Sequence, residues 1–352
     1  MKNLTFYSYV IVTFTAFMFL NSCDKSEPTN EPEPPEVITT EVHIAGIGST
    51  SNGTQIAKYW KNGKATNLSD GTKNNFALSI AVSGSDIYVA GYESNSAGKV
   101  AKYWKNGIAS TLPSDSKYAV SNSITVSGSD VYIAGEEQIS TDGFFITGNI
   151  AKYWKNGIAT ILSDIKNMAH ANSISVSGSD VYIAGSEGNA GQERAKYWKN
   201  GISTNLTDPL LLARANSITI SGSDVYVVGF VQIGNNPQVA KYWKNGTVIN
   251  LSDGSFAAQA NAITLSGSDV YVAGQEKNAS GKYVANYWKN GVVVNLTNGS
   301  NDAVTSSIIV NGSDVYVAGY EYNSYGWPEG RYWKNGVATN ITDGIATSIF
   351  IK

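Results

Sequence analysis

Two reactive side chains are nearly missing from this chain of 352 residues: it has one cysteine, Cys23, and two histidines, His43 and His170. Zinc sites and Cys/His or Ser/His nucleophile pairs therefore have little to be built from, and a disulfide scaffold is excluded. Charge is sparse too, at 15% of residues, against about 25% in an ordinary globular chain. The net negative charge is gathered in residues 24–36, where Asp24, Glu27, Glu31, Glu33 and Glu36 face Lys25 alone, which leaves residues 41–352 neutral. A neutral body has no electrostatic footprint for a phosphate backbone, so nucleic acid is not an expected partner. No helical pattern is apparent, and no Gly-rich loop opens a helix as a phosphate cradle would require.

What is present begins with Lys2, an apolar run from Val10 to Phe19, and then Leu20-Asn21-Ser22-Cys23. The run is broken by Thr13 and Thr15 and is marginal as a spanning helix, so residues 1–22 read as an export signal. Leu-x-Ser-Cys resembles a bacterial lipobox. The resemblance implies that the Cys23 thiol is acylated and that the chain is held to a membrane by lipid alone. Residues 23–40 contain Pro28, Pro32, Pro34 and Pro35, half of the eight prolines. They should form a disordered acidic tether, because so polar a segment cannot bury enough apolar area to order itself. An acidic stretch directly after the cysteine resembles the surface-export signals of Bacteroidetes-type lipoproteins, which implies an outer-membrane protein displayed at the cell surface.

Residues 41–352 are a repeat. Tyr-Trp-Lys-Asn-Gly places tryptophans at Trp60, Trp104, Trp154, Trp198, Trp243, Trp288 and Trp333, spaced by 44, 50, 44, 45, 45 and 45 residues. Gly-Ser-Asp recurs at Asp86, Asp130, Asp180, Asp224, Asp269 and Asp314. Within residues 122–162, β-branched segments flank Gly128-Ser129, suited to a type II′ turn, and Asn156-Gly157, a strong type I′ signal. Two hairpins in about 45 residues make one propeller blade. The chain starts mid-unit, at a segment matching a second strand, and ends with Ala346 to Ile351, which matches a first strand. Joined, the two fragments complete one more blade. The expected fold is therefore all-β, a seven-bladed β-propeller of four-stranded antiparallel blades, closed by one C-terminal and three N-terminal strands. The large Tyr-Trp rings should fill the wedges between blades.

The segment Ala-Lys-Tyr-Trp-Lys-Asn-Gly followed by Leu-Ser-Asp-Gly resembles the extracellular repeats called the HAF family, as does Val-Ser-Gly-Ser-Asp-Val-Tyr-Val-Ala-Gly. The similarity covers residues 41–352 and implies an exported β-propeller. The family's named histidine is absent here, its place taken by Ile56, Val100, Ile150, Arg194, Val239, Val284 and Gly330. The resemblance thus brings no catalytic residue.

Two carboxylate series recur. Asp70, Asp115, Asp164, Asp208, Asp253 and Asp343, with Asn298 in the remaining copy, follow the fourth strand and are expected to hold Asx-turns. Glu93, Glu137, Glu187, Glu276 and Glu321 follow the second strand; they should pair with Lys102, Lys152, Lys196 or Arg331 or else face a ligand. Asn286 replaces the lysine opposite Glu276, and Val231 and Gly48 replace the glutamate in two copies. His43 is expected to be a packed strand residue, and His170 a surface residue in a loop between blades.

Loops between second and third strands vary, and function tends to live on such loops. Two stand out: residues 136–149 with Phe144 and Phe145, and residues 320–330 with Tyr320, Glu321, Tyr322, Tyr325 and Trp327. Aromatics beside carboxylates suit a glycan or protein ligand. The leading expectation is a membrane-anchored, monomeric binding module that uses this rim. The alternatives are a surface polysaccharide hydrolase or lyase with acids on the same rim, or a structural scaffold or adhesin. No catalytic constellation is recognisable, so the chain is expected not to be an enzyme. No cofactor is expected; hard oxygen ligands for calcium exist, but no loop shows an EF-hand-like spacing.

Overall fold

The computed structural model describes residues 40–139, 148–165, 167–189 and 191–352. Cys23, Phe144 and Phe145 lie outside the described residues, as do the export signal and nearly all of the tether. Those described hold twenty-eight strands and no helix. Five sheets have four strands each, and a sixth path of eight strands is two four-stranded antiparallel sets touching at one parallel bridge, Asn149 to Met168. We number the four-stranded sets one to seven in chain order. The architecture is propeller-like and all-β.

Set three shows how the sequence makes each one. Its inner strand, Ala119–Ser127, turns at Gly128 into Asp130–Ile139; after the loop, Gly148–Lys155 turns at Asn156 and Gly157 into the outer strand Ile158–Ile161. At the second turn, Asn156 has φ 49° and Gly157 φ 82°. Both values lie in the left-handed region, as type I′ demands, and asparagine tolerates that region better than most residues. Set one is made from both ends of the chain: Ile345–Ile351 pairs with Val42–Ser49, followed by Gln55–Lys61 and Lys64–Asn67.

The remaining inner strands are Asn74–Ser83, Met168–Ser177, Leu212–Ser221, Ala258–Ser266 and Ala303–Asn311. Each packs beside the inner strand of the next set, and Ile345–Ile351 packs beside those of sets seven and two. Every inner strand carries a β-bulge, at Leu78, Asn122, Asn172, Asn216, Asn261, Ser306 or Thr347. A bulge turns its residue out of the ladder, and here that residue reaches the next set. Asn172 Nδ2 donates to the Ala215 carbonyl at 2.9 Å, Asn261 Nδ2 to Thr305 at 2.7 Å, and Thr347 Oγ1 to Ala77 at 2.8 Å. Leu78 is the apolar exception. Across that seam Ser121 acts instead, its Oγ accepting from the Gly91 amide at 2.8 Å.

The seven repeated tryptophans are all buried to 1% exposure or less. They fill the spaces between sets, as the sequence suggested: Trp60 of set one packs with Tyr316, Ala318 and Ile341 of set seven. Trp154 Nε1 also donates to the Pro113 carbonyl at 2.9 Å, which meets the polar need of a buried indole.

Candidate functional site

Strand direction places the two tight turns of every set at one rim. The loops between second and third strands and the connections between sets lie at the other. At the turn rim, Asp130 Oδ2 lies 2.8 Å from Lys155 Nζ, and its Oδ1 accepts from Asn156 Nδ2 at 2.7 Å. Asn156 Oδ1 in turn accepts from the Val131 amide at 2.9 Å. The same clamp forms at Asp86, Asp180, Asp224, Asp269 and Asp314. Set one keeps it with Glu41 on Lys61 at 2.5 Å. This rim is self-neutralised and leaves no carboxylate of the series without a partner.

The other rim is where the copies differ. In the inner strands, the residue two before the bulge is Phe76, Val120, His170, Arg214, Gln259, Val304 or Ile345. Opposite it on the second strand stand Tyr92, Glu136, Ser186, Phe230, Gln275, Tyr320 and Ile47. The residue after it on the inner strand is always small, Ala, Ser or Thr, so these two registers stand out for their chemical variety.

Three neighbouring sets bring charged groups together there. His170 Nδ1 lies 2.7 Å from Glu136 Oε2 across the boundary between sets four and three. Arg214 of set five donates through Nε and Nη2 to both oxygens of Glu193, at 3.0 and 2.9 Å, and Ser186 Oγ donates to Glu193 at 2.8 Å. Glu193 is buried, while the Arg214 side chain keeps 44% exposure and is free to meet a second anion. Burial works against a charged His170 ring, but the hydrogen bond and charge of Glu136, with Glu193 behind it, outweigh that, so its pKa stands above the usual 6.5. Burial likewise opposes the Glu193 charge, and Arg214 and Ser186 overcome it, holding that carboxyl below the ordinary range. Beside Arg214 opens a depression of about 490 Å³ lined by Asn216, Phe230, Gln238, Gln259 and Asn261. Its amides are tied to one another, Gln259 to Gln238 at 2.5 Å and Asn261 to Gln275 at 2.8 Å. One aromatic ring among fixed amides is a surface suited to sugar hydroxyls and a sugar face.

His170 thus corrects the sequence reading. It is not a surface loop residue but lies within the inner strand Met168–Ser177, its side chain 20% exposed. The strand can close on it because Gly185 opposes the next residue, and a Cβ there would overlap the His170 carbonyl oxygen. His43, by contrast, is a packed strand residue, bonded to Tyr59 at 2.8 Å.

The glutamates are placed one by one. Glu93 pairs with Lys102 at 2.5 Å and Lys73 at 2.7 Å, Glu321 with Arg331 at 2.6 Å, Glu137 with Lys152, and Glu187 with Lys196. Glu276 forms no ion pair among the described residues, and burial, with Asp253 adding repulsion, pushes its carboxyl up. Tyr320 and Tyr322 meet edge to face at 5.7 Å. Tyr322 lines a cleft of about 640 Å³ with Lys277, Lys282 and Tyr283. Tyr325 and Trp327 are 84% and 70% exposed, on a loop that Asn323 Oδ1 holds through both of their amides. Of the aspartate series, Asp70 and Asp253 accept the amides two residues on, as Asx-turns do. No group of three or more potential metal ligands occurs among the described residues.

No protein-family model matches this chain, and no curated protein matches it. Solved structures do resemble it. A puromycin-hydrolysing peptidase of Mycobacterium tuberculosis has a TM-score of 0.59 at 11% identity, over 86% of this chain and 51% of the peptidase. An acylaminoacyl peptidase of Pyrococcus horikoshii gives 0.53 at 13% identity, over 86% and 51%. A PL25 ulvan lyase, solved bound to -[GlcA(1-4)Rha3S]-, gives 0.50 at 8% identity, over 78% and 81%. The chain therefore spans about half the length of the two peptidases. At such identities the likeness is one of fold. The expectation of a chain outside enzymology is nonetheless corrected here: these similar structures are all enzymes, and the paired His170 removes the argument from missing chemistry.

Proposed function

We propose that residues 41–352 form a closed seven-bladed β-propeller that cleaves an acidic polysaccharide by β-elimination at the variable rim. The observation that carries this reading is the joining of His170, Glu136, Arg214 and Glu193 from three neighbouring sets beside an amide-lined depression. Closure is supported by the packing of Ile345–Ile351 between the inner strands of sets seven and two and by the Thr347 hydrogen bond.

Elimination from a uronate requires a cation for the carboxylate, whose neutralisation acidifies the adjacent C–H, and a base for that proton. Arg214 meets the carboxylate with its exposed edge. His170, neutral, takes the proton; the C–H electrons form the new double bond as the glycosidic C–O bond breaks. The leaving oxygen takes the proton from the imidazolium, which Glu136 stabilises meanwhile. Hydrolysis by Glu93, Glu137, Glu187 or Glu321 is less well supported, because each is already neutralised by a lysine or arginine. The similar ulvan lyase was solved bound to a glucuronate-containing ligand, which fits this chemistry. Exposed Tyr325 and Trp327 on the same rim favour glycan contact outside the reacting centre. The lipobox-like sequence at Cys23 supports a lipid anchor and outer-membrane, surface-facing display, where such polymers are met.

The test is ultraviolet detection of unsaturated product from a panel of uronic-acid polymers. His170→Ala should lower turnover by about a hundredfold or more, and Arg214→Ala should lower it comparably, because the uronate carboxylate at the reacting centre then lacks its cation. No unsaturated product from any member, or full turnover by His170→Ala, would refute the proposal.

A further inference from the structure

The position of the second-strand glutamate is a natural internal experiment. Sets two, three, four and seven each place a lysine or arginine against a glutamate. Set one keeps the cation without the acid: Lys58 faces Gly48, and its own stem fills the space, since a Cβ on Gly48 would meet Lys58 Cε. Lys58 is buried and that copy is closed. Set five also keeps the cation without the acid, but differently. Val231 stands where the glutamate would be, and among the described residues Lys241 finds only the neutral Asn250 Oδ1, at 2.5 Å. Burial with no compensating carboxylate pulls the Lys241 amine below its ordinary pKa.

Lys241 opens into a cleft of about 520 Å³ between sets four and five, walled by Leu206, Leu211, Val231 and Ile233. Arg194 lines the same cleft, and no ion pair engages it among the described residues. The one acid on its border among the described residues, Asp208, lies exposed on the connection between the sets. That connection runs straight into the proposed reacting centre: Leu211 borders the cleft, and Leu212 borders the depression beside Arg214. We infer that this cleft is an acidic-sugar subsite, in which the carboxylate of a uronate residue takes the place of the missing glutamate against Lys241, with Arg194 as second cation. The apolar walls receive the C–H face of the ring. The assignment rests on the proposed action on an acidic polysaccharide, and its readout is binding, which does not require turnover.

Val231→Glu should rebuild the pair seen in sets two, three, four and seven and so occupy the subsite from within. With the full chain and calorimetry, an oligoglucuronate should bind about tenfold more weakly to Val231→Glu than to wild type, the loss of one charge-assisted contact. Lys241→Met, which keeps the apolar stem, should do the same. The carboxyl-reduced neutral oligosaccharide should bind all three alike. Equal oligoglucuronate affinity for wild type and Lys241→Met would overturn the inference, as would a wild type that does not prefer the charged oligosaccharide. A His170→Ala variant with full turnover but intact charge preference would overturn the elimination mechanism and leave this subsite standing.

Discussion

The two rims of this molecule are made by the same repeat and have opposite character. At the turn rim an aspartate, an asparagine and a lysine repeat one clamp in six copies, and a glutamate serves in the seventh. At the loop rim, equivalent registers hold phenylalanine, valine, histidine, arginine, glutamine and isoleucine. Each turn clamp uses up its own charges, so nothing remains to recognise a ligand. The loop rim leaves charges to be met from neighbouring sets, as Glu136 meets His170 and Glu193 meets Arg214. Constancy marks the scaffold and variation marks the surface that works on something else.

The sharpest break of this comparison is to open the scaffold itself. Deleting residues 345–352 removes the inner strand of set one, with buried Ala346, Ile349 and Ile351. Burying one isoleucine is worth about 1.5–3 kcal/mol, and the unpaired ladder of Val42–Ser49 adds to the loss. Against a whole stability of about 5–15 kcal/mol, the truncated chain should aggregate or melt far below the full chain in scanning calorimetry. A monomer with unchanged melting temperature would show that the ends do not close the structure.

The scaffold was legible in sequence because each element is locally determined. Asn156-Gly157 and Gly128-Ser129 specify their turns through backbone φ alone, and the turns set the strand registers. The pairing of glutamates with lysines followed from the same registers. The site was less legible. Glu136, Glu193 and Arg214 come from three sets whose distances in space no local pattern gives, and Arg214 sits in a strand that otherwise repeats. A signal did exist: aligned copies vary in chemical type at two strand registers, beside an inner-strand position that is always small. In sequence His170 reads as a loop residue because its strand starts earlier than the β-branched run suggests, at Met168. The role of the bulge asparagines is hidden for a related reason. Asn-Ser-Ile recurs visibly, yet only the bulge shows that Asn172 turns toward the next set.

A smaller effect separates the rims by pH. His170 has a folded pKa raised above its ordinary value by Glu136, with Glu193 adding to it and Arg214 opposing. Its contribution to stability is therefore fully present below the unfolded pKa of about 6.5 and is lost as pH rises through the folded value. Melting temperature measured across that window should fall with rising pH in wild type, and His170→Gln should remove most of the slope. An unchanged slope in His170→Gln would mean that the pair of His170 with Glu136 is not formed. The same deprotonation frees the imidazole to act as base, so turnover should rise over the window in which this stability is lost.

The smallest effect is expected at the turn rim, and its smallness is the point. Asn156→Gly keeps the left-handed backbone that the turn needs, since glycine adopts positive φ without strain. It removes the side-chain hydrogen bonds to the Val131 amide and to Asp130, while Lys155 still pairs with Asp130. The lost groups are exposed and water replaces them, so melting temperature should fall only slightly, and oligosaccharide binding at the far rim should not change. Asn156→Ala must hold the same φ with a Cβ and should cost about 1 kcal/mol more. If glycine and alanine destabilise equally, the clamp rather than backbone conformation holds this rim, and the six copies are kept alike by their charges.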